Sequence, residues 1–246
     1  MDVITFANAK GGAGKTTAAL LLASALARAG HRVMILDADP QRWVSRWSEE
    51  AGTIDNLSVI ADVSTSSVPC HINDARMAGV EYLVIDLAGA SDPLVTTVLG
   101  LSNHVLIPVQ GCAMDAKGAA QILDMLNTFK EQAGIDIAHS VVLTRVPPMV
   151  TTRALAAVKA LLAQRGVHVL DTAIIERVAF REMFGCRGTL FTMDPLRVSN
   201  LLKAQKNAQM FAEEVRGVLP RQAKIRHFVR DKRKMRSVPS KSLSIA

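Results

Sequence analysis

Four short runs of Val, Ile and Leu, at Val3–Ala7, Arg32–Leu36, Tyr82–Ile85 and His104–Val109, mark the first half of the chain. Two weaker runs of the same composition lie at Leu57–Ala61 and Ile137–Leu143. They are apolar without alternation, as strands buried on both faces are. Helical patterns stand between and after them, at Lys15–Ala29, Gln41–Glu50, Pro93–Leu101, Ala116–Gln132 and Thr151–Arg165, closed by Pro195–Val218. This alternation predicts an α/β fold, a mostly parallel sheet with helices on both faces. The first helix is rich in Ala and Leu around most of its circumference and is expected to be largely buried, with Gly30 at its C-terminal cap. No repeat or low-complexity linker appears before Pro220. Residues 1–219 therefore read as one domain and 220–246 as a tail, expected to be partly disordered.

Composition narrows the class. Hydrophobic residues make up 49% of the 246, which excludes wholesale disorder. The most apolar stretch, Ala18–Ala27, is about half of the ~20 residues a bilayer requires. A strand pattern begins at once, without a basic segment before it, so no signal peptide is expected. Cys70, Cys112 and Cys186 are odd in number and widely spaced, which argues against a disulfide framework or zinc site and for a reducing, cytoplasmic setting.

The net charge of +7 belongs to one end of the molecule. Residues 216–246 hold ten Lys and Arg against the single Asp231, whereas residues 1–215 hold 19 against 21 acids. Arg221, Lys224, Arg226, Arg230, Lys232, Arg233, Lys234 and Arg236 crowd into sixteen residues, and Lys203 and Lys206 precede them. Such a run stays extended until it meets a polyanion, and on duplex DNA it would bind phosphates without reading sequence. Aromatic residues, at 4%, are too few for a base-stacking platform. A membrane anchor is the rival use of the tail, but Ile225, Phe228, Val229 and Met235 make only a thin apolar side that Lys232 interrupts. DNA is the expected partner. A solubilising terminus remains the plain alternative.

The chemistry is concentrated at Lys10-Gly11-Gly12-Ala13-Gly14-Lys15-Thr16-Thr17, between the first strand and the first helix. Glycines let backbone amides curl around phosphate, and the helix N-terminus adds its positive dipole end. Lys15 is placed to reach the β and γ phosphates of a nucleotide, and Thr16 to ligate Mg²⁺.

With its extra Lys10 and paired glycines, this motif resembles the deviant Walker A motif of the ParA/MinD ATPases. Asp37-Ala38-Asp39-Pro40-Gln41 resembles that family's switch I. Tyr82-Leu83-Val84-Ile85-Asp86 resembles its Walker B strand, leading to switch II at Leu87–Asp92, and Ile107-Pro108-Val109 the end of its next strand. The resemblance, over roughly residues 1–219, implies a P-loop NTPase (deviant Walker A) fold and hydrolysis of ATP with Mg²⁺. It implies that Lys10, Lys15 and Asp39 are catalytic, Asp39 orienting the attacking water. Thr16, Asp39 and Asp86 would form the metal corner, with Asp37 supporting it or Lys15, and Gly11 through Thr17 would hold phosphate. In this family the lysine at Lys10 crosses to the partner's nucleotide, which implies an ATP-bound homodimer. A ParB-like or other small adaptor would stimulate slow hydrolysis. Fewer than ten residues precede Lys10, so the helix-turn-helix arm of longer partition ATPases is not expected.

Arg145 and Arg177 follow strands at places where relatives flank adenine, although each also reads as a solvated strand end. The Arg145-Val146-Pro147 and Glu176-Arg177 segments are similar to those of the transfer-DNA-binding ParA-like ATPase of plant-tumour bacteria. The chain departs from the family at Asp86-Leu87-Ala88-Gly89, which lacks the usual switch II proline, with Gly89 keeping hinge-like freedom. Trp43 and Trp47, four apart on one helix face, read best as a packing pair. The expected function is a partition or positioning ATPase acting on a plasmid, chromosome or other cargo. A MinD-like membrane-surface ATPase is the alternative, and a nonhydrolysing DNA-binding factor a third.

Overall fold

The computed structural model describes residues 1–89, 93–111, 113–148 and 153–220. The apolar runs form strands β1 (Asp2–Phe6), β2 (Val33–Ala38), β3 (Leu57–Ile60), β4 (Tyr82–Leu87), β5 (His104–Val109) and β6 (Ala138–Leu143). All pair in parallel, in the order β3-β2-β4-β1-β5-β6. The helices are α1 (Lys15–Arg28), α2 (Trp43–Ala51), α3 (Val68–Met77), α4 (Pro93–Leu101), α5 (Ala113–Ala133), α6 (Arg153–Gln164), α7 (Val178–Glu182) and α8 (Leu201–Val218).

Alternate strand residues feed two apolar layers, which is why the strands carry no polar face. Ile4, Phe6, Tyr82, Val84, Leu106 and Val142 pack beneath α1, α2 and α8. Val3, Leu83, Ile85, Val105, Ile107 and Val141 pack beneath α3, α4, α5 and α6 on the opposite face. α1 is buried along most of its length, and Gly30 ends it with φ +92.

Several bounds differ from the sequence expectation. β2 runs on to Ala38, which brings Asp37 inside the sheet beside Asp86 of β4. The final helix starts at Leu201 rather than Pro195, because Asp194 organises turns through the amides of Leu196 and Arg197 and Asn200 takes a left-handed φ of 55°. α3 and α7 are elements the pattern did not predict. The tail, including every basic residue from Arg221 to Arg236, lies outside the described residues.

β1 lies centrally, with β4 on one side and β5 on the other. In a doubly wound sheet the loops at the carboxyl ends of strands flanking such a point diverge and leave a crevice. The glycine-rich loop leaves β1 at that crevice.

Candidate functional site

A cleft of about 780 Å³ opens over the carboxyl end of β1. Gly11, Gly12, Gly14, Lys15, Thr16 and Thr17 line its floor, Asp39 and Trp43 one wall, and Arg145, Arg177 and Phe180 another. The sequence-predicted phosphate, switch I and adenine-side residues are thus brought to one cavity. Gly14 precedes the first turn of α1 with φ +94, a conformation costly for any residue with a Cβ. The turn it makes presents the loop amides and the α1 N-terminus to the same space, the arrangement that binds phosphate.

Lys15 is buried, and its Nζ donates to the carbonyls of Asn8 and Lys10, each at 3.2 Å. Burial lowers its pKa, while the carboxylates of Asp86 and Asp39 oppose that shift. A lysine so placed offers its charge to phosphate oxygens at little reorganisation cost.

Asp86 is wholly buried, and its pKa is raised to about 7. Burial is the main cause and neighbouring Asp37 and Asp39 add to it, while the Thr16 hydroxyl and Lys15 pull the other way. The Thr16 hydroxyl leans toward this carboxylate, yet neither Asp86 oxygen has a hydrogen bond of good geometry among the described residues. A buried carboxylate with two unused oxygens, beside a threonine hydroxyl and a second acid, is a donor set for a hard divalent cation. The residues present therefore fit Mg²⁺. When bound it would neutralise phosphate charge, with Asp86 and Thr16 holding it directly or through water.

Asp39 accepts the Gln41 amide at 2.9 Å and lines the cleft. Asp37 lies beside Asp86 and also has a bond the sequence did not predict. Its Oδ2 accepts both the amide (2.8 Å) and the hydroxyl (2.6 Å) of Ser45, so it anchors the first turn of α2 to the sheet. No hydrogen bond joins it to Lys15 among the described residues.

Gly89 has a steric purpose beside the hinge-like freedom expected of it. A Cβ there would stand 2.9 Å from the Gly11 nitrogen and 3.1 Å from the Lys10 carbonyl carbon, so Gly89 lies directly on the phosphate loop; the rest of switch II, residues 90–92, lies outside the described residues. The tryptophans part company. Trp47 is buried and donates to the Gly188 carbonyl at 3.1 Å, as a packing residue would, whereas Trp43 is 48% exposed on the cleft wall and donates to Gln41 Oε1. Arg145 holds a left-handed φ of 50°, unusual for a non-glycine residue, at the cleft's far end. Lys203 and Lys206 are exposed on α8, away from this cleft.

The pattern did not single out Asn8, Gln110 or Ser45. Asn8 is buried, donates to the Pro108 carbonyl at 2.7 Å and accepts the Lys10 amide at 2.9 Å. Gln110 donates to the Gly12 carbonyl, and Thr144, which precedes Arg145, donates to the Ala13 carbonyl at 2.8 Å. Apart from the Asn8–Lys10 bond, these join residues about a hundred or more positions apart, so no local motif announces them.

Comparison with known proteins agrees with this geometry. The family model described as VirC1 protein matches residues 1–232. Protein ParA of Rhizobium radiobacter is 33% identical over 212 residues, covering 86% of this chain and 95% of the relative. Protein virC1 of Rhizobium rhizogenes is 34% identical over 187 residues, covering 74% and 80%. Among solved structures, the MinD cell division protein of Aquifex aeolicus superposes with a TM-score of 0.69 at 16% identity, covering 88% of this chain and 98% of that one. The Cyanothece McdA(D38A)–ATP complex gives 0.66 at 16% identity, covering 89% and 98%. At these identities the structural likenesses show the fold, which is that of the ParA/MinD P-loop NTPases.

Proposed function

This chain belongs to the VirC1 family within the ParA/MinD-type partition and positioning ATPases, and from that premise we propose that it binds and slowly hydrolyses ATP with Mg²⁺ to segregate a DNA cargo. The observation that carries the reading is the corner where Lys15, Thr16, Asp39 and the unpartnered Asp86 carboxylate meet at the phosphate loop. Phosphoryl transfer depends on positioning and charge neutralisation. Lys15 compensates the phosphate charge, Asp86 and Thr16 hold the metal shell, and Asp39 orients the attacking water. Arg145 and Arg177 flank the base.

Two ATP-bound copies pair face to face, with Lys10 of each reaching the other's nucleotide. The contact of Gly89 with Gly11 and Lys10 supports this, because it ties switch II to the segment that would cross between copies. The dimer binds duplex DNA without sequence preference through Lys203, Lys206 and the basic tail from Arg221 to Arg236. An adaptor of the ParB type triggers hydrolysis and release. With relatives named ParA and virC1, a DNA cargo is the favoured one. No helix among the described residues is long and apolar enough to cross a membrane, and a membrane-surface positioning role is the second reading.

The test is binding to random-sequence duplex DNA with ATP, with ADP and without nucleotide, across a salt titration and beside anionic liposomes. The expected result is ATP-dependent DNA binding that weakens steeply with salt and is largely lost in a chain ending at Leu219. Liposome binding with indifference to DNA would move the assignment to the second reading.

A further inference from the structure

The glycine-rich loop is gripped by side chains at the ends of two other strands, and the grip sets how its peptides are oriented. Every described peptide bond is trans. In a trans peptide the carbonyl and the following N–H point in opposite directions. The Gly12 carbonyl is held by Gln110 Nε2, on the segment leaving β5. The Ala13 carbonyl is held by Thr144 Oγ1, at the end of β6. Each bond turns the next amide away from its holder: Ala13 N–H away from Gln110, and Gly14 N–H away from Thr144. Gly12 and Gly14 line the cleft and Gln110 does not, so the Ala13 amide is turned to the cleft side, while Thr144, itself on the cleft wall, fixes the plane of the Ala13–Gly14 peptide.

A loop containing three glycines has little resistance of its own to a peptide flip, because glycine populates both signs of φ about equally. Thr144 is suited to prevent one. It is 2% exposed, and its Cβ, Oγ1 and Cγ2 stand 3.4 to 3.5 Å from where a Gly14 Cβ would be, so it fills the space that a rotated Ala13–Gly14 peptide would need. The next residue, Arg145, lies at the base end of the same cleft in a left-handed conformation. One dipeptide therefore braces the phosphate loop and supplies the base-side wall.

We propose that Gln110 and Thr144 are positioning residues for nucleotide binding, which fix the orientation of the Ala13 and Gly14 amides in the phosphate loop and so set affinity for nucleotides carrying a β-phosphate. This deepens the ATPase reading and rests on it. A flipped amide replaces a donor aimed at phosphate with a carbonyl oxygen that repels it, so the penalty falls on the phosphates and spares the base.

The experiment measures Kd for ADP, ATP and AMP by equilibrium titration with fluorescent analogues, on the parent chain and on Thr144→Val, Thr144→Ser and Gln110→Ala. Thr144→Val is close to isosteric and lacks the hydroxyl. Gln110→Ala removes the other clasp from a half-buried position, so it remains informative should the valine variant fail to fold. We expect about a tenfold loss of ADP and ATP affinity in Thr144→Val and in Gln110→Ala, unchanged AMP affinity, and near-parental binding in Thr144→Ser. Parental ADP affinity in both clasp variants, or equal losses for AMP and ADP, would overturn the proposal while leaving the ATPase reading intact. A parent chain that binds neither ADP nor ATP would overturn both.

Discussion

Asp86 shows how one residue can be a liability in the free protein and an asset in the complex. Burying its carboxylate without partners costs free energy, and a bound cation would recover that cost. Asp86→Asn keeps the shape and removes the charge. Its free form is expected to unfold at a higher temperature at pH 8 than the parent, while Mg²⁺-dependent ATP turnover falls by at least about a hundredfold. Thermal unfolding in a chelating buffer and steady-state phosphate release check the two halves. Lys15→Ala is expected to abolish turnover while leaving the fold intact, since its contacts are two carbonyls of the loop it serves. The motif residues were legible in the sequence because phosphate chemistry prescribes their types and spacing. Asp37 was legible as a motif member, but its anchoring of α2 was not. Its bond to Ser45 depends on where α2 begins, and the helical pattern placed that start two residues early.

At the scale of elements, α1 carries an unexplained polar atom. Ser24 Oγ is buried with no partner among the described residues. Ser24→Ala removes that deficit and raises helix propensity, so stability should rise by about 1 kcal/mol in chemical denaturation. Gly89→Ala should do the opposite at switch II. Its Cβ would meet backbone rather than a yielding side chain, so the phosphate loop or switch II must shift, and ATP affinity should fall by about tenfold or more in the same titration. Strands and long helices were readable because burial on both sheet faces leaves uninterrupted apolar runs. α3 was not, since Val68-Pro69-Cys70-His71-Ile72-Asn73-Asp74 buries only Val68 and Ile72 of its first turns and mixes polar types throughout. The five-residue α7 is too short to show a period.

Two buried groups give the whole molecule opposing pH responses. His104, in β5, bonds Ser140 and has its pKa lowered to about 4, chiefly by burial, with His139 and His168 adding like charge. The unfolded chain binds a proton at this residue first, so its contribution to stability is present above about pH 6.5 and is lost as pH falls toward 4. Asp86 has the opposite sign. Its pKa is raised, so its protonated form favours the fold, and that contribution is lost as pH rises from about 4 to about 7. Between these limits the two slopes oppose each other. Without Mg²⁺, Asp86→Asn should therefore lose stability on acidification more steeply than the parent, by about 1 kcal/mol per pH unit, in denaturant titrations at pH 7, 6 and 5. The sequence could not disclose this balance. It also could not disclose the strand order that sets β1 between β4 and β5, because both depend on contacts between distant segments.

The central claim is that the crevice over β1 is an ATP site completed by Mg²⁺ at Asp86 and Thr16. Its most direct test is a calorimetric titration of ATP into the chain, with Mg²⁺ and with chelator, repeated on Asp86→Asn. The account predicts one ATP per chain, binding that tightens by at least tenfold with Mg²⁺, and loss of that Mg²⁺ effect in the variant. Absence of saturable ATP binding, or ATP binding indifferent to Mg²⁺ in the parent, would contradict it.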